Sequence, residues 1–281
     1  MRTLRLSLFL IAGTSTILMT QSAFAISYFV EDMYDWSTAD AACTGQTTLS
    51  YTDDQIRMLV SKFDERSNMH TRIAWFDNDA WSSDIAEDQL SGQDNSFADT
   101  ADFYAYSGHG NGPVVDGVQK FTAPMRTKSA GYTEDCHADS TKMKLGDNAG
   151  TYFSTPSPGN ARWIMWLACY SVDVNPDQQW FDVFQGRLQY VMGYRNTSVD
   201  SSNTDDVAAT FANDAYVWNR YEFKATWFSA IEDWWFNDTG EVFTRGTSST
   251  NASWRRDHLT SGMLDDGAQN GGWWAYSYHQ G

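Results

Sequence analysis

The sequence predicts an α/β fold, a mostly parallel sheet with helices on both faces. Two observations lead there. Asp102–Tyr106 and Arg162–Ala168 are near-continuous apolar runs of strand length, as in strands buried on both faces. Stretches with apolar residues at helical spacing alternate with such runs along the chain.

The 281-residue chain opens with Arg2 and Arg5, an apolar stretch from Leu6 to Met19, and the small-residue stretch Ser22–Ala25. This is the tripartite pattern of a secretory signal peptide, residues 1–25. Cleavage after Ala25 leaves 26–281, a length that suits a single α/β domain. No later segment has the length or apolarity of a membrane span, so the expected location is secreted or periplasmic, with no membrane association after cleavage.

Ser27–Tyr34 reads as the opening strand. Thr52-Asp-Asp-Gln55 matches a capping box, and Ile56, Leu59, Val60 and Phe63 follow at helical spacing. Thr71–Phe76 reads as a short strand, and Asp77–Gln93 as a loop with a helical turn. After the strand Asp102–Tyr106 comes a polar excursion from Gly112 to Gly159, then the strand Arg162–Ala168. Asp177–Gln185 reads as a helix, Leu188–Tyr194 as a strand, and Asp205–Val217 and Glu222–Phe236 as helices. From Thr239 onward the chain is rich in Gly, Ser and Trp and carries no clear pattern.

Loss of Arg2 and Arg5 with the leader leaves 17 basic against 36 acidic residues, a net charge of −19. Such a surface repels phosphate, so nucleic acid is excluded as a partner. The thirteen Trp and fourteen Tyr suit an aromatic core, or a stacking surface for a polymer. Exported proteins usually pair their cysteines. Of the three here, Cys43 and Cys136 lie in polar, loop-like contexts, and Cys169 ends a buried strand. The simplest assignment is a Cys43–Cys136 disulfide with Cys169 free.

The first apolar run ends in Tyr106-Ser-Gly-His-Gly110 and the second in Leu167-Ala-Cys-Tyr-Ser171. Open α/β sheets carry their chemistry at the carboxyl ends of strands. His109 and Cys169 are thus the parts of a nucleophilic Cys–His site, with Cys169 attacking and His109 moving the proton. The N–H groups of Gly110 and Cys169 would hold a developing oxyanion. Such chemistry needs no cofactor. Asp77-Asn-Asp79 with Asp84, and Asp173-Val-Asn-Pro-Asp177, are candidate Ca²⁺ loops.

These segments resemble the His and Cys motifs of metacaspases and related caspase-fold cysteine peptidases. The resemblance runs from about Asp102 to Ser198 and implies a caspase-like sheet and a peptide or protein substrate. Asp102 matches the acid that opens the His strand in metacaspases. Leu188–Tyr194, running into Arg195, is similar to the segment that walls the P1 pocket, so Tyr194 and Arg195 are candidate substrate-binding residues. Acidic residues floor the pocket of basic-specific members. Asp102 is the first candidate here, with Asp173, Asp200, Asp205 and Asp206 as others, and the implied preference is Arg or Lys at P1. Asp79-Ala-Trp81, Phe211-Ala212 and Ala225-Thr-Trp227 are similar to segments of an uncharacterised group of secreted bacterial domains with the same core. Leu167-Ala168 and Tyr170 depart from the metacaspase Cys motif. A catalytically silent caspase-fold binding module therefore stays open, as does an aromatic-rich carbohydrate-binding protein.

Overall fold

Strand β1 (Ile26–Asp32) leads to helix α1 (Thr52–Asp64) and strand β2 (Met69–Phe76), and a run of short 3-10 turns then precedes β3 (Phe103–Ser107). The polar excursion holds two small antiparallel ribbons: β4 (Val114–Val115) with β5 (Val118–Gln119), and β6 (Thr122–Pro124) with β7 (His137–Asp139). Next come β8 (Trp163–Leu167), α2 (Pro176–Trp180), β9 (Tyr190–Tyr194), α3 (Val207–Ala212) and α4 (Phe223–Ala230). The chain closes with β10 (Thr239–Gly246), α5 (Ser249–His258) and β11 (Trp273–Gln280). The computed structural model describes residues 26–37, 45–126, 136–146, 160–217, 221–232, 238–263 and 271–281. The leader, residues 1–25, and Cys43 lie outside them.

The main sheet has the order β11-β10-β9-β8-β3-β1-β2. The five strands from β9 to β2 are parallel, β10 runs against β9, and β11 runs against β10. The fold is therefore mixed α/β with a mostly parallel central sheet.

The apolar runs are continuous because both faces of these strands are covered. Phe103, Ala105, Trp163 and Met165 point into a core closed by Ile56, Leu59 and Phe63 of α1, Phe211 of α3, and Phe223 and Trp227 of α4. The alternate residues Tyr104, Tyr106, Ile164 and Trp166 point into a second core. There they meet Trp180 of α2, the 3-10 turns, and Ala123 and Ala138 of the β6–β7 ribbon. Much of the aromatic content is spent here, with Trp163, Trp166, Trp180 and Trp227 fully buried.

Several helices are shorter than their patterns suggested. The helix expected over Asp177–Gln185 ends at Trp180, and α3 passes at Asn213 into a π-helical stretch that runs to Val217. The expected capping box at α1 does not form, because Thr52 is already helical and Gln55 points inward to Ser107 and the carbonyl of Thr204. The described parts of the unpatterned tail supply two strands and a helix.

Candidate active site

Strands β3 and β8 are parallel neighbours with Ser107 opposite Leu167, and Gly108 N–H donates to the Leu167 carbonyl at 3.3 Å. The chain leaves both strands at this point, so His109 and Cys169 emerge side by side at the carboxyl edge. Both line one cleft of about 40 Å³, bounded by the start of α1 and by Ser198–Asp200.

Glycines make the close approach possible. A Cβ on Gly110 would lie 2.8 Å from the Ala168 Cβ and 3.0 Å from the Cys169 backbone nitrogen. A Cβ on Gly108 would lie 2.8 Å from Cζ of the Tyr106 ring. Tyr170, directly after Cys169, has φ +55°, a left-handed conformation costly for a bulky residue. It turns the chain sharply away behind the thiol, and its N–H donates to the Asn196 carbonyl at 2.8 Å.

His109 Nε2 lies 2.6 Å from the Thr47 carbonyl oxygen. A carbonyl only accepts, so Nε2 carries the proton and the other ring nitrogen is left to exchange one with a reacting group. Cys169 is a half-buried free thiol. Its sulfur accepts the Ser198 N–H at 3.3 Å and lies 3.7 Å from the Ser198 carbonyl. Among the described residues, the N–H groups of Gly110 and Cys169 take no part in the backbone hydrogen bonds of these loops, which run from Gly108, Asn111 and Tyr170.

A larger cavity of about 430 Å³ opens beside the cleft, between the end of β9, the start of α3, the end of α4 and the start of β10. Tyr194, Asp205, Asp206, Glu232 and Asp238 line it, and no Lys, Arg or His is among its described walls. The Tyr194 hydroxyl is held above the usual phenol range by burial first, with the charges of Asp238 and Cys169 adding to it. Burial, then Asp206 and Asp54, raises the Asp205 carboxyl.

The other candidate residues are placed as follows. Asp102 does not reach the cleft. It directly precedes β3 and so sits at the opposite edge of the sheet, where it accepts from Ser27 and Arg162. A five-residue strand separates it from the His end by roughly 17 Å. The Arg195 guanidinium turns away from both cavities, to Glu241 at 3.5 Å and over the Tyr278 ring at 3.9 Å. Burial pushes the Glu241 carboxyl up to about 8, against the pull of Arg195. Asp173 accepts from Gln119 and Val174, and Asp77 from the N–H groups of Tyr34 and Asp35. Among the described residues no group of three or more His, Cys, Asp or Glu is placed to hold a metal ion. Cys136 is disulfide-bonded.

Sequence reasoning missed Thr47 and Ser198. Both act through the backbone, which carries no residue-type signal. It also missed Asp238, set just before β10, and Glu232, which follows α4 and pairs with His279 of β11 at 3.1 Å.

A family profile described as Domain of unknown function (DUF6345) matches residues 35–278, which takes in α1, the loops that carry His109 and Cys169, and the acidic cavity. The chain belongs to this family. No curated protein and no solved structure matches it. The family's description names no activity, so the chemistry has to be argued from the residues themselves.

Proposed function

We propose that the chain is an exported cysteine endopeptidase of caspase-like architecture that cleaves after Arg or Lys. One observation carries the reading: His109 and Cys169 share a cleft at the carboxyl ends of adjacent parallel strands, with His109 Nε2 held by the Thr47 carbonyl. That hydrogen bond selects the tautomer a proton shuttle needs. The Cys169 sulfur attacks the substrate carbonyl carbon, and its proton passes to the free imidazole nitrogen. The Gly110 and Cys169 N–H groups take the negative oxygen of the tetrahedral intermediate. The imidazolium returns the proton to the departing amine, and water then hydrolyses the acyl-enzyme by the reverse path. The adjoining acidic cavity is wide enough for a long basic side chain, and Asp205, Asp206 and Asp238 suit its charge.

The test is hydrolysis of a fluorogenic peptide panel with Arg, Lys, Asn or Asp at P1, using the mature chain with and without Ca²⁺. Turnover of Arg and Lys peptides that is lost in Cys169→Ala supports the reading. No turnover of any peptide refutes it. The narrowness of the cleft, about 40 Å³ against about 430 Å³ for the cavity beside it, favours one second reading, a silent fold that uses the acidic cavity to bind basic ligands. Binding of Arg peptides without cleavage would mark that case.

A further inference from the structure

We infer that Asp200 is a positioning residue that clasps together the two loops supporting His109 and Cys169, an inference that rests on reading these two as the reacting pair. Each of them is held by a backbone group from a different loop. The Thr47 carbonyl holds His109 Nε2, and the Ser198 N–H points at the Cys169 sulfur. No strand joins these loops, which are separated by some 150 residues of chain. Asp200 joins them. Its Oδ2 accepts the Ser50 N–H at 2.6 Å and its Oδ1 accepts the Tyr51 N–H at 2.8 Å. Both bonds are charge-assisted, hence stronger than neutral ones.

The leverage is short on both sides. Ser50 is three residues from Thr47, and Asp200 is two residues from Ser198. Each loop is also anchored behind the clasp. On one side, Leu49 N–H donates to the Tyr34 carbonyl at 3.0 Å and Trp36 N–H to Thr48 Oγ1 at 3.3 Å. On the other, Val199 N–H donates to Asp238 at 3.1 Å and Thr204 Oγ1 to the Val199 carbonyl at 2.6 Å. With both loops fixed elsewhere, the carboxylate sets their separation across the cleft, and with it the spacing of imidazole and thiol. Asp200 itself lines that cleft. One of its two donors, the Tyr51 N–H, belongs to the residue that precedes the first turn of α1.

The same residue has an opposite role if it acts only as a charge. The ionisable groups around the thiol are His109, Tyr194, Asp200 and Asp238. A bare carboxylate beside a thiol disfavours the thiolate, so removing it would lower the pH at which the thiol reacts. A clasp does the reverse, because its loss slackens the Ser198 N–H donor and the imidazole.

The test is carboxamidomethylation of Cys169 by iodoacetamide as a function of pH, followed by intact mass in wild type, D200A and D200N. Among the described residues Cys169 is the free thiol, and Cys136 is disulfide-bonded. D200A should alkylate about tenfold more slowly at neutral pH, with its pH midpoint raised. D200N removes the charge and keeps one of the two acceptor oxygens, so it loses one clasp bond and should alkylate at a rate between wild type and D200A, with its midpoint unmoved or raised. A lowered midpoint in either variant, or a wild-type rate in D200A, overturns the clasp. Where D200A does not fold, the D200N midpoint decides alone. Peptide hydrolysis is scored separately. A wild type that turns over no peptide defeats the peptidase reading and leaves the clasp to the alkylation result.

Discussion

Replacing Asp32 by Asn should stabilise the protein by an amount that grows with pH. Asp32 ends β1 opposite Ser107, at the edge where His109 emerges. Its carboxyl is fully buried and, as the neutral acid, donates a hydrogen bond to the Asp53 carboxylate. Burial first, then the charge of Asp53 and the hydrogen bond to it, then the charge of Asp77, push it up to about 9 from its ordinary 3.8, with Arg57 opposing. The folded protein therefore keeps this acid neutral through neutral pH, whereas the unfolded chain releases the proton above about pH 4. Between these limits the unfolded state binds fewer protons, so stability is lost steadily as pH rises from about 4 to about 9. At 1.36 kcal/mol per unit, pH 7 lies about three units into that window, a loss of about 4 kcal/mol at most. Asn has the shape of the neutral acid and does not titrate. D32N and wild type should unfold at the same urea concentration near pH 3. At pH 7 the variant should be more stable by about 2–4 kcal/mol, roughly 5–15 °C in Tm for a chain of this size. Urea unfolding followed by tryptophan fluorescence at several pH values measures this directly. A difference that does not grow between pH 4 and 8 refutes the reasoning.

Other perturbations separate the site from the scaffold. Gly110→Ala places a methyl group against the Cys169 backbone, which has no flexible end to yield, and should cut peptide turnover about a hundredfold with the fold retained by circular dichroism. The double variant D205N/D206N should raise KM for an Arg substrate about tenfold and leave kcat within about threefold, since it alters the cavity and not the thiol. Asp102→Ala leaves the largely buried Arg162 unpaired and should cost about 3 kcal/mol of stability, with kcat and KM unchanged in the folded fraction because it lies at the far edge.

The strands that position the site were legible because burial on both faces leaves an unbroken apolar run. Phe103–Ser107 and Trp163–Leu167 show it plainly, and their reactive ends followed. The closing strands were not legible, for opposite reasons. Strand β10 is buried along its whole length yet contains Glu241 and Arg245. Arg195 offsets the first, while the second bonds the carbonyls of Gly271, Phe181 and Phe184 and stacks on Phe181. Those partners are distant in sequence, so the charges read as loop. Strand β11 lies at the sheet edge with Trp273, Trp274 and Tyr278 exposed, and shows no alternation to detect. Asp102 matched a motif by type, but strand direction places the start of β3 at the edge opposite its end. The groups that hold the imidazole and the thiol are a carbonyl and an N–H, which any residue could have supplied.

Covalent labelling of Cys169 by an acyloxymethyl ketone bearing Arg at P1 tests the paired action of His109 and Cys169 most directly. Wild type and His109→Ala are compared by intact mass over time. The account predicts stoichiometric labelling of wild type on Cys169, and labelling of His109→Ala about a hundredfold slower. Unlabelled wild type, or equal rates in the two proteins, would contradict it.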